Sequence, residues 1–233
     1  MTPAGSLLDL ARQAGLYLQY MQELGLAGLE VTLPRPPQPP PREAHLARDL
    51  DDLAAFIENC RACPRGGVRA FPGQGPLAPP LMIVLDPPDE TAVREGIFPG
   101  GPAGELLDRI ITQALKLDRS QIYLTAALKC PPVLPGEPDG PAREFCRPVL
   151  IREMELVRPR TVLAMGQTAG QILTGRRQET FFLRAAAFAL KIPGSPPLRV
   201  TFGLDMMLAE PEIKKDVWQD LRKIMRLAGL DQA

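Results

Sequence analysis

The stretch that decides the fold is residues 81–90, which read LMIVLDPPDE. Five consecutive apolar residues, Leu81 to Leu85, are typical of a strand that is buried on both faces in a parallel sheet. Residues 86–90 then form a polar loop, because proline does not continue a central strand. Such a loop follows the carboxyl end of the strand, which is where open α/β proteins place their ligands.

Similar apolar runs recur along the chain and alternate with helical patterns. Further strands are predicted at 121–128, at 161–165 and within 181–202, most clearly at 198–202. The helical patterns cover residues 43–58, 105–117, 145–157, 169–174 and 212–227. This alternation predicts a three-layer α/β/α sandwich with a central, mostly parallel sheet.

The N-terminal part has a different character. Residues 6–26 predict an amphipathic helix, and residues 34–42 are so rich in proline that they predict an extended linker. We therefore divide the chain into a helical extension at 1–33, a linker at 34–42 and a main domain at 43–233. The apolar face of the extension needs a partner, either its own domain or another protein.

Composition limits the function and the compartment. The chain has 27 basic and 27 acidic residues, which argues against a strongly basic nucleic-acid binder but leaves room for a local basic patch. Apolar residues make up 45% of the chain, enough for a substantial core. The sequence shows neither an apolar run of membrane-spanning length nor the pattern of a signal peptide. We therefore expect a soluble protein in the reducing cytoplasm.

The four cysteines have the spacing C-x2-C-x66-C-x15-C, at Cys60, Cys63, Cys130 and Cys146. This spacing favours one tetrathiolate site, which would hold an iron–sulfur cluster or zinc. Two disulfides are an alternative that would need an oxidising compartment. A thioredoxin-like redox pair would use only Cys60 and Cys63, and four unrelated core cysteines are the last alternative.

A series of short motifs follows in order along residues 43–227. Besides the cysteines it comprises Gly96 with Phe98, Gly101 and Ala103-Gly104-Glu105-Leu106-Leu107-Asp108, Thr125 with Lys129-Cys130-Pro131-Pro132, Met165-Gly166 with Ala169, Leu183-Arg184, and Trp218-Gln219-Asp220-Leu221. This order resembles the iron–sulfur-containing family 4 of the uracil-DNA glycosylase superfamily. The resemblance implies a role in base-excision repair. It also implies that the four cysteines hold a [4Fe-4S] cluster in preference to zinc.

The resemblance further implies a reaction, the hydrolysis of the bond between a damaged base and its sugar. The base is flipped out of the duplex into a pocket. There, family members use an aromatic ring to stack on it, an asparagine to read its edge and a histidine to stabilise the charge that develops on uracil. In this chain Ala126 stands at the asparagine position and Gly203 at the histidine position. The single histidine, His45, falls in the helix before the cysteines, where we expect it to be exposed.

The loop after the first strand departs from the family as well. The family's Gly-Glu-x-Pro-Gly is here Leu85-Asp86-Pro87-Pro88-Asp89, so Asp86 keeps a carboxylate at the glutamate position. Asp86 is our candidate catalytic residue, and a helix cap or a turn is its alternative role. Pro88, Phe98, Ala126 and Gly203 match the base pocket, although Phe98 is offset by one from the stacking ring, where Pro99 stands.

Three functions remain open from the sequence. The first is a divergent DNA glycosylase that uses Asp86 and Phe98 and whose uracil excision is weak, altered or absent. The second is a non-catalytic module on the same scaffold, which binds DNA weakly or transiently, or binds a protein through the N-terminal helix and the proline-rich linker. The third is a zinc-stabilised α/β domain that is unrelated to DNA.

Overall fold

The computed structural model describes Gly15 and residues 42–230, except positions 64, 66–68 and 133–139. The predicted helix at 6–26, apart from Gly15, and the predicted linker at 34–42, apart from Arg42, therefore lie outside the described residues. Contacts divide the chain into the units Met1–Arg35 and Pro36–Ala233. The domain boundaries at 33 and 42 stay predictions.

The centre of the second unit is a five-stranded sheet in the order β2-β1-β3-β5-β4. The strands are β1 (Leu81–Leu85), β2 (Ile122–Ala126), β3 (Val162–Met165), β4 (Phe188–Ala189) and β5 (Pro197–Thr201). The first four strands of that order run parallel, and β4 pairs antiparallel at the edge. The predicted mostly parallel sheet is confirmed, and β1 has the predicted bounds.

Helices connect the strands and cover both faces of the sheet. They are α1 (Leu50–Glu58), α2 (Glu90–Glu95), α3 (Gly101–Arg109, continued by a π-helical turn at Ile110–Ala114), α4 (Gly140–Val157), α5 (Gln167–Thr174), α6 (Thr180–Ala185), α7 (Leu204–Ala209) and α8 (Lys214–Ala228). Short 3-10 turns lie at Arg42–Leu46, Arg119–Gln121 and Pro211–Ile213. None of the helices within the described residues is both long and apolar enough to span a membrane.

Alternate residues of each strand supply two separate cores. Met82 and Val84 of β1 face a cluster built with α4, α5 and α6, whereas Leu81 and Ile83 face a cluster built with α3, α7 and α8. A central strand that is buried on both sides reads as a continuous apolar run, which is the pattern of 81–85. The predicted three-layer α/β/α sandwich is therefore confirmed for the described part of the chain.

One predicted element is wrong. The start of the 181–202 region was predicted as strand, but Thr180–Ala185 is the helix α6. Phe181 and Phe182 favour strands by propensity, yet both are exposed, and only Leu183 and Thr180 of this segment are buried. The tertiary contacts of Leu183 with the sheet core therefore outweigh the local preference.

Candidate functional site

The carboxyl ends of the four parallel strands form one row. The register pairs Leu85 of β1 with Ala126 on one side and with Met165 on the other, and Met165 pairs with Thr201. The residues that follow these ends, including Asp86 and Gly166, therefore lie at the same edge of the sheet. This is the edge at which open α/β sheets bind ligands.

The Asp86 carboxylate is held by the first turn of α5. Its Oδ2 accepts a hydrogen bond from the backbone N–H of Gln167 at 3.0 Å, and its Oδ1 accepts one from Ala169 at 2.8 Å. Gly166 precedes this turn with φ +113°, and a Cβ at that position would overlap the carboxylate. Glycine is thus required at 166 by its backbone conformation and by the approach of Asp86. Asp86 acts as an N-terminal cap that links β1 to α5.

A small cavity of about 160 Å³ opens beside Asp86. We call it the base cavity. Its wall is formed by Leu85, Asp86, Pro87, Asp89, Phe98, Pro99, Ala103, Met165, Leu204 and Asp205. Of the predicted site residues, Asp86 and Phe98 line it, whereas Pro88, Ala126 and Gly203 do not. Pro88 and Ala126 are buried in the adjoining structure.

Gly203 precedes α7 and lines another cavity, of about 660 Å³, whose wall also includes Asp86 and Asp205. A Cβ at Gly203 would be 2.5 Å from Oδ1 of Asp205, so the Asp205 carboxylate lies where a longer side chain at 203 would begin. Asp205 is exposed and lines the base cavity. Sequence reasoning did not single it out as a polar site residue, although its position two residues after Gly203 in the family's histidine segment is a usable signal. The predicted exposure of His45 is confirmed.

Phe98 separates the base cavity from a larger one. The second cavity has a volume of about 370 Å³, and Phe98 and Phe71 both line it. The centroids of the two rings are 5.9 Å apart, with an interplanar angle of 44°. Aromatic pairs with this spacing stabilise each other beyond their burial. The side chain predicted to stack on a base is therefore part of a small aromatic pair.

The four cysteines are thiols that differ in burial. None is in a disulfide; Cys130 and Cys146 are buried, and Cys60 and Cys63 are half-buried. Burial, with added repulsion from the other cysteines, raises the pKa of the Cys130 thiol to about 12. Burial likewise raises the pKa of the Cys146 thiol to about 11, although a hydrogen bond from the Lys129 backbone acts to lower this pKa. Cys63 also packs against the apolar cluster that contains Cys146.

The described residues do not by themselves form a finished metal site. Within 42–230, apart from the gaps given above, no three histidine, cysteine, aspartate or glutamate side chains are arranged so that they could hold a metal ion. The donor chemistry nevertheless fits a thiolate-bound group, because soft sulfur ligands select zinc or iron–sulfur clusters. The two alternatives of the disulfide pairs and the isolated redox pair receive no support from the arrangement.

A buried ion pair lies directly beside Cys130. Lys129 Nζ is 2.6 Å from Oε2 of Glu153, and their side chains are 3% and 1% exposed. Glu153 also accepts hydrogen bonds from Thr125, from the Tyr123 hydroxyl and from the Gly73 backbone. This network joins β2, α4 and the segment before β1. Sequence reasoning missed Glu153, and its signal is an acid on the apolar face of α4, between Leu150 and Val157.

A second polar network holds the end of β5. The buried Asp220 of α8 accepts hydrogen bonds from Arg184 Nε at 2.8 Å and from the Thr201 hydroxyl at 3.0 Å. The Arg184 guanidinium also lies 4.8 Å from the centre of the Phe202 ring. The motifs at 183–184 and 218–221 thus position the strand that leads into Gly203.

Comparison with known proteins gives one consistent family. The model of the uracil DNA glycosylase superfamily matches residues 72–222 of the chain. A type-4 uracil-DNA glycosylase of Pyrobaculum aerophilum is 29% identical over 191 residues, which are 79% of this chain and 96% of the relative. Proteins of the same description from Saccharolobus solfataricus and Sulfurisphaera tokodaii are 28% and 26% identical, over 76% and 77% of this chain and 85% and 84% of the relatives. With its parallel sheet and the site at its carboxyl edge, the chain belongs to the uracil DNA glycosylase superfamily.

Proposed function

We propose that this protein is a DNA-acting member of the superfamily that carries a [4Fe-4S] cluster and whose excision of uracil is weak, altered or absent. Its relatives are described as type-4 uracil-DNA glycosylases, and the match covers most of their length. The scaffold is therefore shared. The difference lies in the residues around the base cavity.

Cys60, Cys63, Cys130 and Cys146 are the residues that would hold the cluster. They come from three separate parts of the fold, the segment after α1, the loop after β2, and α4, and Cys63 packs against the cluster that contains Cys146. When bound, a [4Fe-4S] group ties its thiolate ligands together, which here would clamp α1 to the sheet and to α4.

The observation that carries weak excision is the engagement of Asp86. Both of its oxygens accept backbone N–H groups of α5, so the carboxylate already has a structural task. Breaking the bond to uracil gives positive charge to the sugar and negative charge to the leaving base. Among the described side chains that line the base cavity, none carries an N–H or O–H donor that could stabilise the leaving base.

The rate consequence is large. Removing one preorganised oxyanion donor lowers a rate by about 100- to 1000-fold. Here the chain has Ala126 and Gly203 at the positions where the family has an amide and an imidazole. We therefore expect excision of uracil to be several orders of magnitude slower than in a family member with both donors.

The second candidate function is binding without catalysis. The Asp205 carboxylate favours it, because this group lies where a side chain at 203 would extend and it repels a developing negative charge. In this case the scaffold recognises DNA, or it acts with a protein partner recruited through the N-terminal helix and the linker. Binding of DNA would then be measurable while cleavage is not.

The cluster is tested by absorption spectroscopy of anaerobically purified protein. A broad band near 400 nm, with roughly four iron and four sulfide per chain, is the expected result. Cys130→Ser should abolish the band. A colourless protein with one zinc per chain would overturn the cluster.

The activity is tested with single- and double-stranded oligonucleotides that contain uracil or a panel of other damaged bases, followed by alkaline cleavage. Asp86→Asn is compared with Asp49→Asn, because Asp49 caps α1 in the same manner but lies away from the cavity. Slow or absent release of uracil is expected from the wild type. Release at rates typical of enzymes, about 1–1000 per second, would contradict the proposal.

A further inference from the structure

The larger of the two cavities beside Phe98 is basic. We call it the arginine cavity. It measures about 370 Å³, within the range of small-molecule sites. Its charged lining residues are Arg69, Arg119 and Glu58, so positive charge is in excess. In contrast, the charged residues of the base cavity are three aspartates, Asp86, Asp89 and Asp205. Two neighbouring cavities thus have opposite charge.

The Arg69 guanidinium contacts both the Phe71 ring and the backbone of Gly96. Its guanidinium lies 5.7 Å from the centre of the Phe71 ring and donates a hydrogen bond to the Gly96 carbonyl at 3.4 Å. Gly96 has φ +71°, and a Cβ there would be 2.7 Å from an Arg69 nitrogen. The missing side chain at 96 therefore leaves room for the guanidinium to lie flat against the loop. A planar cation between an aromatic ring and a backbone is preoriented for an anion.

Arg119 provides the second cation of the cavity wall. It is half-buried at the start of the 3-10 turn that leads into β2. Burial lowers the pKa of its guanidinium, whereas the charge of Asp108 raises it. An arginine stays protonated at neutral pH in either case. A partly desolvated guanidinium gains more from an anion than one in open water.

The aromatic wall is anchored to the sheet. Phe71 N–H donates to the Lys129 carbonyl at 2.8 Å, and Gln74 exchanges two backbone hydrogen bonds of 2.8 Å with Leu124 of β2. This segment therefore extends the outer edge of the sheet and holds Phe71 against Phe98. Rings of this kind stack on nucleobases without sequence preference, for about 1–3 kcal/mol per base.

We propose that the arginine cavity binds one nucleotide unit, with its phosphate at Arg69 and Arg119 and its base against the half-buried Phe98, which the buried Phe71 supports. The unit is the neighbour of the nucleotide whose base enters the base cavity, because Phe98 is the shared wall. Binding of a nucleotide within a DNA strand rests on the proposed action on DNA. A free nucleotide carries the same phosphate and base, so it fits the same site. The phosphate would not enter the base cavity, since three carboxylates repel it.

The test measures binding of a fluorescent eight-nucleotide oligothymidylate, which contains no uracil, by anisotropy at several salt concentrations. Arg69→Gln and Arg119→Gln are each compared with Arg94→Gln, an arginine that is 70% exposed and lies outside the cavity. Each cavity variant should bind about fivefold more weakly or worse. The slope of log affinity against log salt should become smaller by about 0.7 for each lost phosphate contact. Phe71→Leu should weaken binding without changing that slope.

Free thymidine monophosphate and inorganic phosphate are then added as competitors to separate the sources. Competition by the nucleotide and not by phosphate at equal concentration is the expected result. Equal competition by both, or cavity variants that bind like Arg94→Gln, would overturn the proposal. Binding of the free nucleotide, measured directly by isothermal titration calorimetry, without binding of the oligonucleotide would support the site while contradicting the action on DNA. Absence of all binding by the wild type would overturn both. Retained absorption near 400 nm and circular dichroism establish that each variant is folded.

Discussion

Replacing Asp86 with alanine separates its structural role from a catalytic one. The substitution removes both acceptors for the N–H groups of Gln167 and Ala169. Losing an N-terminal cap costs about 0.5–2 kcal/mol. We expect the upper end, about 2 kcal/mol, because Asp86 is half-buried and two donors lose a charged partner. Asp86→Asn keeps one acceptor oxygen and should cost about 1 kcal/mol.

The assay is thermal unfolding followed by far-ultraviolet circular dichroism. For a chain of this size, 1 kcal/mol shifts the melting temperature by about 2–4 °C. Asp86→Ala should therefore melt about 4–8 °C below the wild type, and Asp86→Asn about 2–4 °C below it. Asp49→Ala is the control, since Asp49 is exposed and caps α1 through one hydrogen bond of 2.8 Å. It should lose about 0.5 kcal/mol.

One result would refute this reasoning. If Asp86→Ala melts with the wild type while release of any damaged base falls by more than about 100-fold, Asp86 acts in the chemistry and its hydrogen bonds to α5 are incidental. If the melting temperature falls as expected and any residual release at 25 °C is unchanged, Asp86 is a cap. The two readouts are measured on the same protein samples.

Further predictions concern the buried polar groups. Glu153→Gln should destabilise the fold by about 3 kcal/mol or more, measured by urea denaturation, because it leaves the Lys129 ammonium buried without its counter-charge. Burial, together with the charge and hydrogen bond of Glu153, raises the pKa of Tyr123, so the folded protein should show no ionisation of Tyr123 at pH 11 in the difference spectrum against Tyr123→Phe. The contribution of Tyr123 to the free energy of unfolding is fully present below about pH 10. It is lost as the pH rises further, because only the phenol of the unfolded chain ionises there. Asp220→Asn should lower the free energy of unfolding by about 2 kcal/mol or more, because Asp220 is buried. Asp216 pairs with the same arginine but is half-exposed, so Asp216→Asn should lower it by less than about 0.5 kcal/mol.

Periodicity and apolar runs were sufficient for most of the fold. A strand that is covered by helices on both faces has apolar residues at every position. The run at 81–85 therefore predicted a central strand, and β1 is such a strand. The same approach failed at 180–185, where two phenylalanines favour a strand but remain exposed on a helix. Local preference for strand or helix is weak, and burial of Leu183 against the sheet decides between them.

The candidate site was predicted less completely. The motifs located Asp86 and Phe98, which line one cavity, whereas the grouping of the four cysteines stays a prediction. The motifs did not indicate Asp205 or Glu153, because no motif assigns a chemical role to either position. They also could not show that Arg69 and Arg119, 50 residues apart in sequence, line the same cavity.

The sequence by itself determined the layers, the sheet and the family, because alternating apolar strands and amphipathic helices permit few arrangements of one core. It also determined that Ala126 and Gly203 stand where the family has its amide and its imidazole, since a missing side chain is visible when the motifs are compared. Only the tertiary structure decided what the remaining groups do. The Asp86 carboxylate meets the N-terminus of α5 because β1 and β3 are neighbours in the sheet, and Phe98 faces Phe71 because residues 71–74 pair with the edge of β2. Such contacts depend on which distant segments become adjacent, which no local pattern encodes.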